Sequence, residues 1–182
     1  VVFTPADDYS GTEATFDYKM RDAAGLESTA TTTVTVNPLN DAPVAVADSA
    51  STNEDAAVTI LASDLLANDT DADANDTKTI TDVSNAVNGT VALNGDGNVV
   101  FTPADDYSGT EATFDYTIKD AAGLESTATT TVTVSPLNDA PVVTNMGAAQ
   151  TTDEGVALDL TGIVIKDPDG DTMTATLTLD KT

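Results

Sequence analysis

The sequence contains no cysteine, no histidine and no tryptophan. Without cysteine the chain forms no disulfide bond. Without histidine it has neither a Ser-His-Asp triad nor a histidine-ligated zinc, iron or copper site. Oxygen atoms are the metal ligands that remain, and they suit hard cations such as Ca²⁺ and Mg²⁺.

Basic residues are scarce as well. Six Lys and Arg stand against 31 Asp and Glu, and the formal net charge is −25. A nucleic acid or an anionic membrane surface needs a basic patch, so we expect neither as a partner. No hydrophobic run is long enough to span a bilayer, so we expect no membrane insertion. The acidity indicates either a solvated surface or cation binding, and the placement of the carboxylates must distinguish them.

The sequence repeats itself at an interval of 98 residues. Residues 1–44 and 99–142 differ only at Lys19/Thr117, Met20/Ile118, Arg21/Lys119 and Asn37/Ser135. A period of this length indicates a tandem array of domain-sized units, of which this chain is interpreted as a window. We predict the C-terminal part of a repeat over residues 1–40, a complete repeat over 41–138 and the N-terminal part of a further repeat over 139–182.

Neither partial repeat is large enough to bury its apolar side chains by itself. The side chains that we expect to need a partner are Phe3, Phe16, Tyr18 and Val34 at the front and Val156, Leu158, Leu160 and Ile163 at the back. The partner is either the same continuous polypeptide or a head-to-tail copy of the chain.

Apolar and polar residues alternate along most of the complete repeat, as in a strand with one buried face. We predict strands near residues 43–49, 56–61, 78–84, 89–94, 98–102, 111–119 and 126–135. Seven short strands, separated by turns such as Gly95-Asp96-Gly97, are typical of a Greek-key β-sandwich. We also predict one helical turn at residues 63–67, with Ser63 as its N-terminal cap.

Several phrases of the sequence resemble cadherin repeats. KDAAGLESTATTTVTVSPLNDAPV resembles the closing strands and linker, NEDAAVTI resembles the opening segment with its glutamate, and DTDAD and DPDGD resemble the Asp-x-Asp element. The run from LLANDTDAD to FTPADDYSGTEATFDY resembles the cadherin-like repeats of giant bacterial surface adhesins, which are usually exported by type I secretion. The resemblance implies an all-β fold of tandem Greek-key, cadherin- or immunoglobulin-like seven-stranded β-sandwiches.

The cadherin resemblance also implies Ca²⁺ at the junctions between modules. The implied ligands at the first junction are Asn40, Asp41, Asp71, Asp73 and Asp120. The implied ligands at the second junction are Glu54, Asn138, Asp139, Asp167 and Asp169. The Asp-Arg-Glu element of cadherins is missing, and PADDYSG stands in its place. Asp106, together with Asp105, is therefore a further candidate, as are Asp7 and Asp8 in the earlier copy.

The spacing of the aspartates favours a cation on physical grounds too. Asp71 and Asp73 are two positions apart in an extended segment, so their side chains project in the same direction. Two carboxylates about 4 Å apart repel each other by roughly 1–4 kcal/mol. Ca²⁺ accepts six to eight oxygen ligands in an irregular arrangement, which a junction of two modules and a linker can supply. The alternative is a solvated acidic loop.

The resemblance implies a non-enzymatic function. It implies structural extender repeats of an adhesin on a bacterial cell surface, which support cell adhesion or biofilm formation and have adjacent repeats as partners. A carbohydrate-binding module and a homophilic adhesion module are the alternatives. Aromatic residues make up only 4% of the sequence, which offers little platform for a glycan. We interpret Tyr9 and Tyr107 as residues that pack a turn.

Overall fold

The computed structural model describes residues 1–73, 76–144, 151–158, 164–176 and 178. The described strands are β1 Gly11–Arg21, β2 Glu27–Val36, β3 Asp48–Asn53, β4 Val58–Ile60, β5 Thr79–Val87, β6 Gly89–Leu93, β7 Val99–Pro103, β8 Gly109–Lys119, β9 Glu125–Ser135, β10 Val142–Thr144 and β11 Val164–Lys166. A short helix, α1, spans Ala62–Leu65. None of the described helical residues forms a segment long and apolar enough to cross a membrane.

Strands β3 to β9 form a seven-stranded β-sandwich. One sheet has the order β3-β9-β8-β5 and the other has the order β4-β7-β6. β3 pairs in parallel with β9, while the neighbouring strands of both sheets otherwise pair antiparallel. The all-β, seven-stranded sandwich predicted from the alternating sequence is confirmed.

The core lies between the two sheets. Alternate residues of β8, from Ala112 to Ile118, are fully buried, as expected for a strand with one inward face. They meet side chains of β7 in the other sheet, where Phe101 stacks on Phe114 with ring centroids 5.9 Å apart. A β-branched strand completes this layer, since Val132 and Val134 of β9 are also buried.

Two local predictions are wrong. The first strand of the repeat was predicted at residues 43–49, but β3 lies at Asp48–Asn53, and Val44 makes only an isolated bridge with Thr70. The helical turn forms, but Ser63 is not its cap. The N-cap position is Leu61, and the backbone N–H of Ala62 donates to Asn98 Oδ1 at 3.0 Å instead.

Two further sheets flank the sandwich in sequence. β1 and β2 form an antiparallel hairpin, and β10 pairs antiparallel with β11. Tyr18 is 42% exposed, and Val156 and Leu158 are also exposed. Leu160 and Ile163, predicted to belong to the same apolar set, lie outside the described residues.

Candidate metal centre

The linker before the sandwich is hydrogen-bonded to two loops of the module that follows it. The Asn40 side-chain amide donates to Asp120 Oδ2 at 2.8 Å and to the Asp41 carbonyl at 3.0 Å. The Asp41 backbone N–H donates to Asp73 Oδ2 at 2.7 Å, and the Asp73 N–H donates to Asp71 Oδ1 at 2.9 Å. The five residues predicted for the first junction are therefore connected to one another.

The linker after the sandwich repeats this arrangement. The Asn138 amide donates to the Asp139 carbonyl at 3.0 Å, and the Asp139 N–H donates to Asp169 Oδ2 at 2.7 Å. The Asp169 N–H in turn donates to Asp167 Oδ1 at 3.0 Å. The same bonds form although one Asp-x-Asp element reads DTDAD and the other DPDGD. The Asn-Asp linker and the Asp-x-Asp element therefore act together as one unit.

Among the described residues, carboxylates converge in three groups, in each of which one oxygen per residue lies within 4.8 Å of the others. The groups are Glu54 with Asp139 and Asp169, Asp55 with Asp106 and Asp139, and Asp71 with Asp76 and Asp120. Asp139 belongs to two of the groups, so this linker aspartate is close to the carboxylates of both.

Strand pairing explains how Glu54 reaches the linker. β3 and β9 run parallel and end together at Asn53 and Ser135. The Glu54 backbone N–H continues this pairing by donating to the Ser135 carbonyl at 2.9 Å. The Glu54 side chain is buried and accepts a hydrogen bond from the Leu137 backbone N–H. A charged residue that directly follows the first strand is thereby brought to the end of the last strand.

Two members of these groups, Asp55 and Asp76, were not predicted. Asp55 and Asp106 both have positive φ, 59° and 54°. Aspartate tolerates positive φ better than most residues do. This backbone conformation turns the chain sharply at the second junction. Asp76 follows the Asp-x-Asp element, and its Oδ1 accepts from the Ala121 backbone N–H at 3.2 Å. That contact joins residues 45 positions apart, which local sequence patterns do not show.

Two carboxylate oxygens at the junctions lack a donor within the part of the chain that the structure describes. Asp71 Oδ2 and Asp139 Oδ2 are inaccessible to solvent and have no hydrogen-bond partner among the described residues. Desolvation, and then the carboxylates of Asp55 and Asp169, raise the pKa of Asp139. Desolvation, and then Asp8 and Asp73, likewise raise the pKa of Asp41. Oxygen atoms that are desolvated, close together and without donors suit a hard cation such as Ca²⁺.

Asp120 differs from Asp41 and Asp139 in the direction of its pKa shift. The Asn40 amide, followed by the backbone N–H groups of Leu124 and Gly123, lowers the pKa of its carboxyl group. Leu124 and Gly123 both donate to Oδ1, at 2.7 and 2.5 Å. Asp120 is thus ionised and held in place by the loop between β8 and β9.

The two junctions share the Asn-Asp linker and the Asp-x-Asp element, and each adds further carboxylates. At the first junction the following module contributes Asp71, Asp73 and Asp120. At the second junction the preceding module contributes Glu54, Asp55 and Asp106. At the second junction Asp167 and Asp169 take the places that Asp71 and Asp73 have at the first.

Tyr107 packs a turn, as the sequence indicated. Its hydroxyl oxygen accepts from the Glu111 backbone N–H at 3.1 Å, and it lies against Gly109. Gly109 has φ of 146° and no room for a Cβ without crowding this hydroxyl group. Tyr107 therefore braces the start of β8.

Comparisons with known proteins complete the description. The human mucin-like protocadherin EC1-2 structure is similar, with 20% identity, a TM-score of 0.43, and coverage of 74% of this chain and 73% of that chain. The structure of protocadherin gamma B2 extracellular cadherin domains 1-5 has 16% identity and a TM-score of 0.43, and the match covers 87% of this chain and 38% of that chain. The protocadherin gammaB7 EC3-6 cis-dimer structure has 19% identity and a TM-score of 0.42, and the match covers 85% of this chain and 41% of that chain. The chain thus spans less than half of each of the latter two.

The comparison with curated proteins finds no match. The family described as "Bacterial Ig domain" has a model that matches residues 40–133. The matched range begins at the first linker and covers β3 to β8 and most of β9.

Proposed function

Because the chain belongs to the bacterial Ig domain family, we propose that its repeats are structural extender modules of a bacterial cell-surface adhesin. Ca²⁺ bound at the junctions stiffens the array of modules. In this role the protein is extracellular, is exported by type I secretion, catalyses no reaction and supports cell adhesion or biofilm formation. Its partners are the adjacent repeats of the same polypeptide, with boundaries at residues 1–40, 41–138 and 139–182.

The observation that carries this proposal is the position of Asp139. Its carboxylate belongs to one group with Glu54 and Asp169 and to another with Asp55 and Asp106, and in each group one oxygen per residue lies within 4.8 Å of the others. Glu54, Asp55 and Asp106 come from the module before the linker, and Asp169 comes from the segment after it. Like charges gathered at this density repel one another unless a cation lies among them.

The residues of both junctions together define the set that would hold Ca²⁺. The proposed ligands from the preceding module are Glu54, Asp55 and Asp106, with Asp8 as the counterpart of Asp106 at the first junction. Those from the linkers are Asn40, Asp41, Asn138 and Asp139. Those from the following module are Asp71, Asp73, Asp76, Asp120, Asp167 and Asp169. When bound, the cation neutralises carboxylates of two modules at once, and this charge neutralisation is the chemistry that it supplies.

Hydrogen bonds from the protein's own residues hold the linker in place. The backbone N–H groups of Asp41 and Asp139 hold the Asp-x-Asp carboxylates at 2.7 Å. The Asn40 amide holds Asp120 in the same way. These bonds orient the carboxylates, so little rearrangement is needed on binding. Proline residues on both sides of each Asn-Asp pair further restrict the linker.

Differential scanning calorimetry tests the proposal. A ligand that binds only the folded state stabilises it by about 2.7 kcal/mol at a hundredfold excess over its Kd. The melting temperature should therefore rise in millimolar Ca²⁺ and fall in chelator, with NaCl of equal ionic strength as the control for screening. An identical melting temperature in Ca²⁺, chelator and NaCl would remove the support for a cation at the junctions.

A further inference from the structure

A further pair of carboxylates lies inside the sandwich module, away from the two linkers. Asp48 begins β3 and Asp69 lies between α1 and β5, and both contact the Tyr116 hydroxyl group of β8, at 2.9 and 3.0 Å. The carbonyl oxygens of Val46 and Leu65 lie 2.8 and 3.4 Å from the same hydroxyl group. These five residues form what we call the interior cluster.

The interior cluster has more acceptors than hydrogen atoms. A tyrosine hydroxyl group has one hydrogen atom, so it donates to one of these oxygens at a time and presents lone pairs to the others. Desolvation, followed by Asp48 and Asp69, raises the pKa of Tyr116, so its hydroxyl group stays neutral. The other donors are the Val46 N–H, at 2.7 Å from Asp69 Oδ1, and the Asn68 amide, at 3.0 Å from Asp48 Oδ1.

No basic side chain balances these two carboxylates. The complete repeat contains only two basic residues, Lys78 and Lys119. Neither forms an ion pair within the described part of the chain. Desolvation raises the pKa of Asp48, and the charge of Asp69 raises it further, although the hydrogen bond from Tyr116 opposes both. Buried charges in proteins are normally paired with an opposite charge or coordinate a metal ion.

Two buried oxygen atoms of this region have no hydrogen-bond partner among the described residues. Only 6% of Asp69 is exposed, and its Oδ2 lacks a partner. Thr130 of β9 is fully buried, and its Oγ1 also lacks one. Thr130 is the register partner of Asp48 in β3, and both residues face the inside of the sandwich. Buried polar atoms without a partner indicate a bound ion or water molecule.

The interior cluster is separate from the junctions. Asp69 precedes the first Asp-x-Asp element by two residues, and Ile165 has this position before the second element. The N–H groups of both linker aspartates nevertheless donate to the second aspartate of the element at the same distance, 2.7 Å. The junction geometry therefore does not require a carboxylate at position 69.

We propose that Asp48 and Asp69 bind a Ca²⁺ ion inside the module. The neutral ligands are the hydroxyl groups of Tyr116 and Thr130 and the carbonyl group of Val46. Ca²⁺ takes six to eight oxygen ligands, and carboxylate and carbonyl oxygens are the usual ones in proteins. Two carboxylates balance its charge, and the unpartnered oxygens of Asp69 and Thr130 each gain a partner. The ion joins β3, β8, β9 and the segment after α1, so it stabilises one module from within and does not depend on the junction ions.

Native mass spectrometry of the full chain tests the proposal by counting bound Ca²⁺ ions. Asp48→Asn and Asp69→Asn each remove one negative charge but keep an oxygen that accepts from Tyr116. We expect each variant to bind one Ca²⁺ ion fewer than the unmodified chain. Asp82→Asn is the matched control, because it removes the same charge from an exposed position on β5 and should leave the ion count unchanged.

The pair of variants distinguishes the interior cluster from the first junction. Asp69 is close in sequence to the junction residue Asp71, whereas Asp48 is not close to any proposed junction ligand. Loss of an ion in only one of the two variants would overturn the proposal, as would an unchanged ion count in both. Asp139→Asn reports on the second junction separately, so failure of the junction sites and failure of the interior site give different results.

A measurement on the unmodified chain keeps the test independent of how the variants fold. The Val46 N–H donates to Asp69, so its amide resonance in the NMR spectrum of a ¹⁵N-labelled chain should shift when Ca²⁺ is added. The amide of Asp96, in the turn between β6 and β7, is the control and should not shift. An unshifted Val46 resonance in millimolar Ca²⁺ would overturn the proposal.

Discussion

The side-chain amide of Asn40 donates to the carboxylate of Asp120 at 2.8 Å, across 80 residues of sequence. This bond ties the linker to the loop between β8 and β9, and it lowers the pKa of Asp120 below its ordinary value of 3.8. A lowered folded-state pKa stabilises the fold above the unfolded-state pKa, and this stability is lost as the pH falls through the folded-state pKa.

Asn40→Ala should therefore destabilise the sandwich at neutral pH by an amount that shrinks under acid conditions, once Asp120 is protonated in the native chain. Urea denaturation between pH 7 and pH 2 measures this difference. Asn138→Ala is the matched control, since among the described residues its amide donates only to the Asp139 carbonyl. A constant Asn40→Ala effect across the pH range would contradict the role of the Asn40–Asp120 bond.

Asp139→Asn should weaken Ca²⁺ binding at the second junction by about tenfold or more, because it removes a carboxylate shared by two clusters. The backbone N–H that donates to Asp169 remains, so each module should stay folded. Isothermal titration calorimetry measures the affinity. Asp96→Asn, which removes the same charge from the turn between β6 and β7, is the control and should have no effect. Equal losses in the two variants would indicate a general charge effect.

Glu54→Gln should change stability and cation affinity in opposite directions. Glutamine still accepts from the Leu137 N–H but removes one negative charge beside Asp139 and Asp169. In chelator the melting temperature should rise slightly, corresponding to about 1 kcal/mol of relieved repulsion. In Ca²⁺ it should fall relative to the native chain, because a ligand has lost its charge. A variant that is less stable in both conditions would show that Glu54 has a purely structural role.

Tyr116→Phe should lower the free energy of unfolding by about 1–3 kcal/mol. The Tyr116 hydroxyl group lies 2.8 Å from the Val46 carbonyl, 2.9 Å from Asp48 Oδ2 and 3.0 Å from Asp69 Oδ1, so phenylalanine leaves the buried Asp69 carboxylate and two partly buried acceptors without this donor. Tyr18→Phe changes the same atom at the equivalent, exposed position and should stay within about 0.5 kcal/mol of the native chain. Equal effects of the two substitutions on urea unfolding would be inconsistent with this explanation.

Alternation in the sequence predicted most of the sandwich because its strands are half buried. β8 shows this best, since Phe114, Tyr116 and Ile118 all face the core. The first strand was placed wrongly because Val44-Ala45-Val46 is apolar, whereas Asp48–Asn53 is not. Residues Asp48–Asn53 form the strand because they pair in parallel with β9. The backbone N–H groups of Val46 and Ala45 instead donate to the side chains of Asp69 and Ser126. These contacts are distant in sequence.

The cap of helix α1 was also predicted wrongly because its partner is distant in sequence. Ser63 is close in sequence, but Asn98, 36 residues away, accepts from the Ala62 N–H. At the junctions the sequence predicted the linker and Asp-x-Asp residues, whose bonds repeat at both ends. Their identity as Ca²⁺ ligands stays a prediction. Asp55 and Asp76 were missed because only the folded chain brings them to their clusters.

The parallel pairing of β3 with β9 determines how a module responds to a pulling force. The first and last strands of the sandwich lie side by side over six residue pairs, from Asp48↔Thr130 to Asn53↔Ser135. The chain enters at one end of this pair and leaves at the other. Tension along the polypeptide therefore shears the two strands past each other and loads their backbone hydrogen bonds together. An antiparallel pair pulled from its open end would unzip one bond at a time, so this sandwich is built to resist stretching.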